Sequence, residues 1–232
     1  MARVVDATVR ELLESLPSLT SGQESRAWQK ACARALGLGG LAISLGKELV
    51  WFTDSTSAGL EDLQFVLGEG PGRHLRTGAV VREVPDVSRV LARQWPQFPV
   101  EAEELGIAAM FVWPIRIGAV QMGTMTGYRR TVGPLTAQQA AQGWLVADAL
   151  AQHVLSHWPT SPGGGNGPGS AGVVDLHRAE VHQATGILSE RLGIPLGEAL
   201  SRLRAEAYSG GRSLVEVAHA VIVRELPQDD AG

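Results

Sequence analysis

His153 and His157 stand four residues apart, a spacing that places two imidazoles on one face of a helix and suits a pair of metal ligands. Structural and catalytic zinc sites need three or four ligands, and no third is evident nearby. Cys32 is the sole cysteine, which excludes an intramolecular disulfide and any multi-cysteine cluster. Set in an alanine-rich helical stretch beside Trp28 and Leu36, it reads as a small buried hydrophobe. The glycines and proline between Gly68 and Gly72 invite comparison with a phosphate cradle. The run lacks the Gly-Lys-Ser/Thr ending and follows a helix instead of a strand, so it reads as a turn. Serine, histidine and carboxylate side chains occur, but no Gly-x-Ser-x-Gly elbow or paired-carboxylate motif organises them. The expectation is no catalysis, no cofactor and no metal.

The elements that would position any other chemistry fall into two groups. With 232 residues, 44% of them hydrophobic, the chain can fill one large core or two modest ones. It contains no run of eighteen apolar residues, and its first ten residues are polar and charged, so the reading is cytoplasmic, soluble and free of membrane contact. Between Pro159 and Gly172 lie glycine, proline and small polar residues that offer no packing face. As a flexible coil this linker would span roughly 20 Å. The domains expected are therefore 1–158, a linker at 159–172, and 173–232.

The first domain reads as α+β. Helical stretches are expected around 6–16 and 23–36, then strands at 41–45 and 48–53 joined across Gly46 and Lys47 as a hairpin. A helix at about 59–66 follows. Strands at 109–117 and 120–128 flank Gly118 and Ala119, and Thr136 with Gln139 forms a capping box for a helix reaching Trp158. The second domain has helical periodicity throughout. Val181, Ala184, Leu188 and Leu192 share one face; Leu196, Ala199, Leu200, Leu203 and Ala207 share another. Leu214, Val217, Ala218, Val221 and Ile222 form the third stripe, opened by a capping box at Ser213 and Glu216. Gly193 and the glycines at 210 and 211 separate these helices. Three such stripes in about fifty residues can close only on one another or on a partner chain.

The ordered strings from Val181 to Gly193, Glu198 to Arg204 and Arg212 to Ala218 resemble the ANTAR domain, whose helices carry Ala-x-Gly-Ile-Leu, Glu-Ala with Leu-Arg, and Leu-x-x-Val-Ala. The first domain is similar to the GAF domains that commonly precede ANTAR in actinobacterial regulators. That likeness rests on Leu63 to Pro71, Arg93 to Pro96, Glu104 to Gly106, Trp113 to Gly118 and Gly133 to Thr136. It implies a six-stranded or similar antiparallel sheet with flanking helices. GAF domains of this kind often have cysteine where this chain has Gly72, so thiol sensing there is not expected.

The ANTAR resemblance implies an RNA-binding antitermination regulator that recognises paired hairpins whose loops present unstacked bases. The residues assigned to RNA contact on that basis are Arg178, His182, Ala184, Thr185, Gly186, Arg191, Arg204 and Arg212, with Ser189 on the same non-core surface. Arginine suits such contact because its planar fork bridges phosphate oxygens or stacks on a base. Ala184 and Gly186 are small enough for either RNA approach or helix packing. Arg191, Arg202 and Arg224 also suit solvated faces, paired with Glu198 or Glu225. Thr185 stands where many ANTAR helices carry lysine, and residues 173–232 hold nine acidic residues against six arginines.

Trp51, Phe65, Trp113, Met122 and Met125 either line a ligand pocket in the GAF-like domain or fill its core, and the prevalence of such residues in cores favours the second. The partners expected are RNA hairpins in nascent transcripts, a small-molecule ligand of the sensor domain, and a second copy of the chain. DNA binding is the first competing class, although no helix here clusters basic and amide residues as a recognition helix does. A protein-interaction module is the second.

Overall fold

The computed structural model describes residues 7–16, 23–46, 48–73, 75, 81–156, 179–210, 212 and 214–225. The expected linker at 159–172, together with His157, Arg178 and Ser213, lies outside them. The chain divides into two compact units, Met1–Asp175 and Leu176–Gly232.

The first unit is an antiparallel sheet with helices on both faces. Helices α1 (Ala7–Glu14) and α2 (Gln23–Ala35) are tied by the Trp28 indole N–H, which donates to the Leu12 carbonyl at 2.8 Å. Strands β1 (Gly40–Leu45) and β2 (Glu48–Phe52) form the expected hairpin. Gly46 has a φ of 61° at its turn, a left-handed conformation open to glycine. Helix α3 runs Ser55–Leu67, four residues longer at its start than periodicity indicates. Its cap explains the difference. The Ser57 N–H donates to Asp54 Oδ1 at 2.7 Å while the Asp54 N–H donates to Ser57 Oγ at 3.2 Å, a capping box with serine in place of the usual Glu or Gln.

Three elements have no counterpart in the sequence reading: β3 (Arg82–Val84), a 3-10 turn at Val87–Arg89, and α4 (Phe98–Glu104). Each is too short to show a period. The long strands β4 (Ala109–Ile117) and β5 (Val120–Arg129) follow, and α5 (Ala137–Ser156) closes the unit. The Gln139 N–H donates to Thr136 Oγ1 at 3.1 Å and the Thr136 N–H to Gln139 Oε1 at 3.0 Å, the expected box.

The described sheet has five strands in the order β2-β1-β5-β4-β3, all antiparallel. Alternation along the strands separates two cores. On one face Ile43, Phe111, Trp113 and Met125 pack with Trp28, Cys32, Val146 and Leu150 of α2 and α5. On the other, Met110 and Tyr128 pack with Leu60, Phe98 and Ala102 of α3 and α4. Helix α5 comes so close that a side chain at Gly143 would run into the Trp113 indole, whose N–H donates to the Ala140 carbonyl at 3.2 Å.

The second unit contains α6 (Ala179–Leu192), α7 (Leu196–Ser209) and α8 (Leu214–Glu225), each touching the other two. Val181, Ala184, Ala199, Leu200, Leu203, Ala207, Leu214, Val217, Ala218 and Ile222 are buried, as the three stripes require. The stripes end early at one place. Leu192 and Leu196 are 43% and 59% exposed, because they flank the Gly193 turn where the helix pair ends and no third element among the described residues covers it. Gly193 has a φ of 62°, the left-handed close expected at a helix C-terminus.

Candidate nucleic-acid interface

The rotation of helix α6 separates a buried face from more open flanks. With 3.6 residues per turn, the buried Val181, Ala184 and Thr185 define the inward face. Ala184 is fully buried and Thr185 is 5% exposed. The Thr185 hydroxyl donates to the Val181 carbonyl one turn back at 2.6 Å, so its only proton is used within the helix. Ala184 is thus in the three-helix core, as its place in the first apolar stripe requires, and Thr185, expected on a non-core face of the helix, is buried beside it. Burial of one helix face takes them because they lie in register with Val181.

His182, Gly186 and Ser189 lie on one flank of α6 and are half-buried. Ser189 Oγ donates to the Ile194 carbonyl and so closes the α6–α7 turn. A methyl group built at Gly186 would meet nothing within 4 Å, which removes helix packing inside this unit as the reason for glycine. Interior helical glycine costs about 1 kcal/mol relative to alanine.

The arginines divide. Arg191 is exposed on the same flank as Glu180, three turns farther along α6, and Arg204 is half-buried on α7. Arg202 pairs with Glu198 at 2.8 Å, as its spacing indicates. Arg212 is exposed before α8 and donates through Nη2 to the Glu216 carbonyl at 3.1 Å. Arg212 is also part of a groove of about 650 Å³ along α8, shared with Arg224, His219, Glu180, Val215 and Val223. The expected sites thus occupy more than one flank of the bundle instead of one patch. His219 and Arg224 were not among them; the sequence signal available for His219 was its four-residue spacing from Val215 and Val223 on α8, and Arg224 had no such signal.

The candidate pocket residues of the first unit sit in the hydrophobic interior. Trp51, Trp113 and Met125 are in the core beneath α2 and α5, with Met122 packed against it, and Trp51 lies 5.8 Å from the Trp28 ring. Phe65 is also buried. The opposite face of the sheet holds a polar arrangement that hydropathy does not reveal. Ser44 Oγ donates to Glu61 Oε2 at 2.6 Å, Gln64 Nε2 to Glu61 Oε1 at 2.9 Å, and the Gly72 N–H to Gln64 Oε1 at 2.8 Å. All three side chains are buried. The chain from Ser44 to Gly72 fastens the turn after α3 to the middle of the sheet.

Two titrations follow from burial. Removal from water pushes the Cys32 thiol up to about 12. Tyr128 is raised first by burial and then by the negative charge of Asp54, to which its hydroxyl donates at 3.0 Å. Among the described residues no group of three His, Cys, Asp or Glu side chains is arranged to hold a metal, and no helix is long and apolar enough to cross a membrane.

The segment containing α6, α7 and α8 has a sequence family of its own. Residues 176–222 match the ANTAR domain. The match spans all of α6 and α7 and most of α8, so it takes in the buried stripes, the Gly193 turn and the groove residues from Glu180 to Ala220, while Val223 and Arg224 lie just beyond it. No curated protein matches the chain. Among solved structures, a domain of a two-component sensor histidine kinase protein from Sinorhizobium meliloti 1021 is 15% identical. The alignment covers 55% of this chain and 86% of that one, with a TM-score of 0.45. The chromophore-binding domain of an unusual bacteriophytochrome from R. palustris is 13% identical over 64% of this chain, with a TM-score of 0.45, and this chain covers 59% of its length. A GAF domain from A. aeolicus in an inactive state is 14% identical over 64% of this chain and 94% of that one, with a TM-score of 0.41.

Proposed function

We propose that this chain is a transcription antitermination regulator in which the ANTAR domain binds paired RNA hairpins and the first unit is a GAF-like sensor that controls it. The observation that carries the reading is the ANTAR match across a closed three-helix bundle. Arg191, Arg204 and Arg212 supply donors for RNA phosphates, and the open flank at Gly186 admits a close backbone approach. Arg178 belongs to the same proposal from sequence alone. The five-stranded sheet flanked by helices agrees with the GAF resemblance of the sequence. The small-molecule ligand and the actinobacterial type belong to the proposal as well.

A signal received by the first unit changes the arrangement of ANTAR domains in a homodimer. The paired domains then hold an RNA hairpin pair that excludes a terminator, and polymerase reads through. With a net charge of −4 overall, affinity comes from local arginines and is steeply salt-dependent. Crosslinking the full chain to RNA in cells and sequencing what is bound tests the class and finds the target. Recovery of transcripts with two adjacent hairpins upstream of a terminator is the expected result; recovery of none would refute the reading.

A further inference from the structure

The geometry points to the groove along α8 as the place where the ANTAR domain receives one unstacked base of an RNA loop, with His219 as its stacking platform. This rests on the RNA-binding reading above. Val215, His219 and Val223 recur at four-residue intervals on the outer face of α8, about one turn apart. Val215 and Val223 are about half exposed, and no described element of this unit covers them. His219 lies between them, itself exposed, with Nδ1 3.5 Å from Glu180 Oε2 on α6. Arg212 and Arg224 complete the lining of the same groove.

This mixture fits a nucleobase better than it fits a phosphate or an apolar helix. A site for phosphate alone would exclude carboxylates, yet Glu180 and Glu216 both line this one. An apolar helix would leave the two arginines and the carboxylates facing hydrocarbon, at a desolvation cost. A loop base presents a flat face, N–H donors along its edge and phosphates on its backbone. The flat face stacks on imidazole, the valines cover its rim, and a carboxylate of Glu180 accepts from its edge while the arginines take the flanking phosphates. The groove volume of about 650 Å³ lies in the range of about 300–1,000 Å³ typical of small-molecule sites.

The test uses the full-length chain and a pool of RNAs, each carrying two hairpins with randomised loops. Wild-type protein selects its preferred loops, and affinity for the winning RNA is then measured for His219→Ala, His219→Phe and Glu180→Gln, with Arg202→Ala as the control and circular dichroism to verify helix content. His219→Ala is expected to weaken binding about tenfold, since one base stack carries an effect of that order. His219→Phe restores it to within about threefold, because the flat ring remains. Glu180→Gln, put through the same selection, relaxes the preference at one loop position. If wild-type selects an RNA but His219→Ala binds within about twofold of it, the groove is not the base site and the RNA reading stands. Equal losses in His219→Ala and His219→Phe overturn stacking in favour of charge. A Glu180→Gln protein that binds tighter with the same loop choice overturns the carboxylate contact and makes the groove a phosphate clamp. Failure of wild-type to select any RNA removes both the groove and the reading beneath it.

Discussion

The hydroxyl of Thr185 donates to the carbonyl of Val181 at 2.6 Å, and both side chains are turned into the three-helix core. A position that carries lysine in many ANTAR helices is here satisfied within its own helix. Replacing Thr185 with valine removes only this local bond, so stability should change by less than about 1 kcal/mol and RNA affinity should stay within about twofold. Thr185→Lys forces an ammonium against Val181 and its neighbours and should cost about 2 kcal/mol or more. Thermal melts and RNA titrations of both variants check this; a large affinity gain in the lysine variant would show that the residue reaches the ligand after all.

Gly186 behaves oppositely. Because a methyl group there meets nothing, Gly186→Ala should stabilise the fold by about 0.5–1 kcal/mol. If RNA approaches this flank, the same variant should bind more weakly. Measuring the melting temperature and the affinity together separates the two effects, and a variant that is both more stable and equally tight would clear this flank of RNA contact.

Glu61 holds two buried donors, Ser44 Oγ and Gln64 Nε2. Glu61→Ala strands both of them and should destabilise the first unit by about 1–3 kcal/mol, with Glu61→Gln milder because one carbonyl oxygen remains to accept. Denaturant unfolding measures the difference. The ANTAR helices should keep their own transition, as expected for separate compact units.

Cys32 should be inert in the folded protein. Burial holds its thiol up to about 12, so the thiolate is absent at neutral pH and alkylating reagents should react only after unfolding. The raised value also sets a sign. The folded protein keeps this proton to higher pH than the unfolded chain, so the contribution to stability is full below about pH 9 and declines as pH rises toward 12. Rapid labelling of the native protein at pH 8 would contradict this.

The two long hairpins, the α5 capping box and the three helices of the ANTAR domain were legible in the sequence, because alternation, helical period and cap residues are local signals. The start of α3 was hidden by a serine standing where a capping box usually has Glu or Gln. The three-residue β3 and seven-residue α4 were hidden because neither is long enough to show a period. The candidate site was legible only in part: Arg212 could be named from its motif, whereas His219 and Arg224 read as ordinary residues of a solvated helix face.

The residue types at α6 and α8, their spacing and the family they match were thus determined by the sequence itself. Which of them look outward was decided by tertiary packing. Three amphipathic helices bury one face each, and a rotation of a single residue, about 100° around the axis, separates the buried Thr185 from the open Gly186. A motif string names both with equal weight, and only the closure of α7 and α8 on α6 assigns one to the core and leaves the other facing solvent.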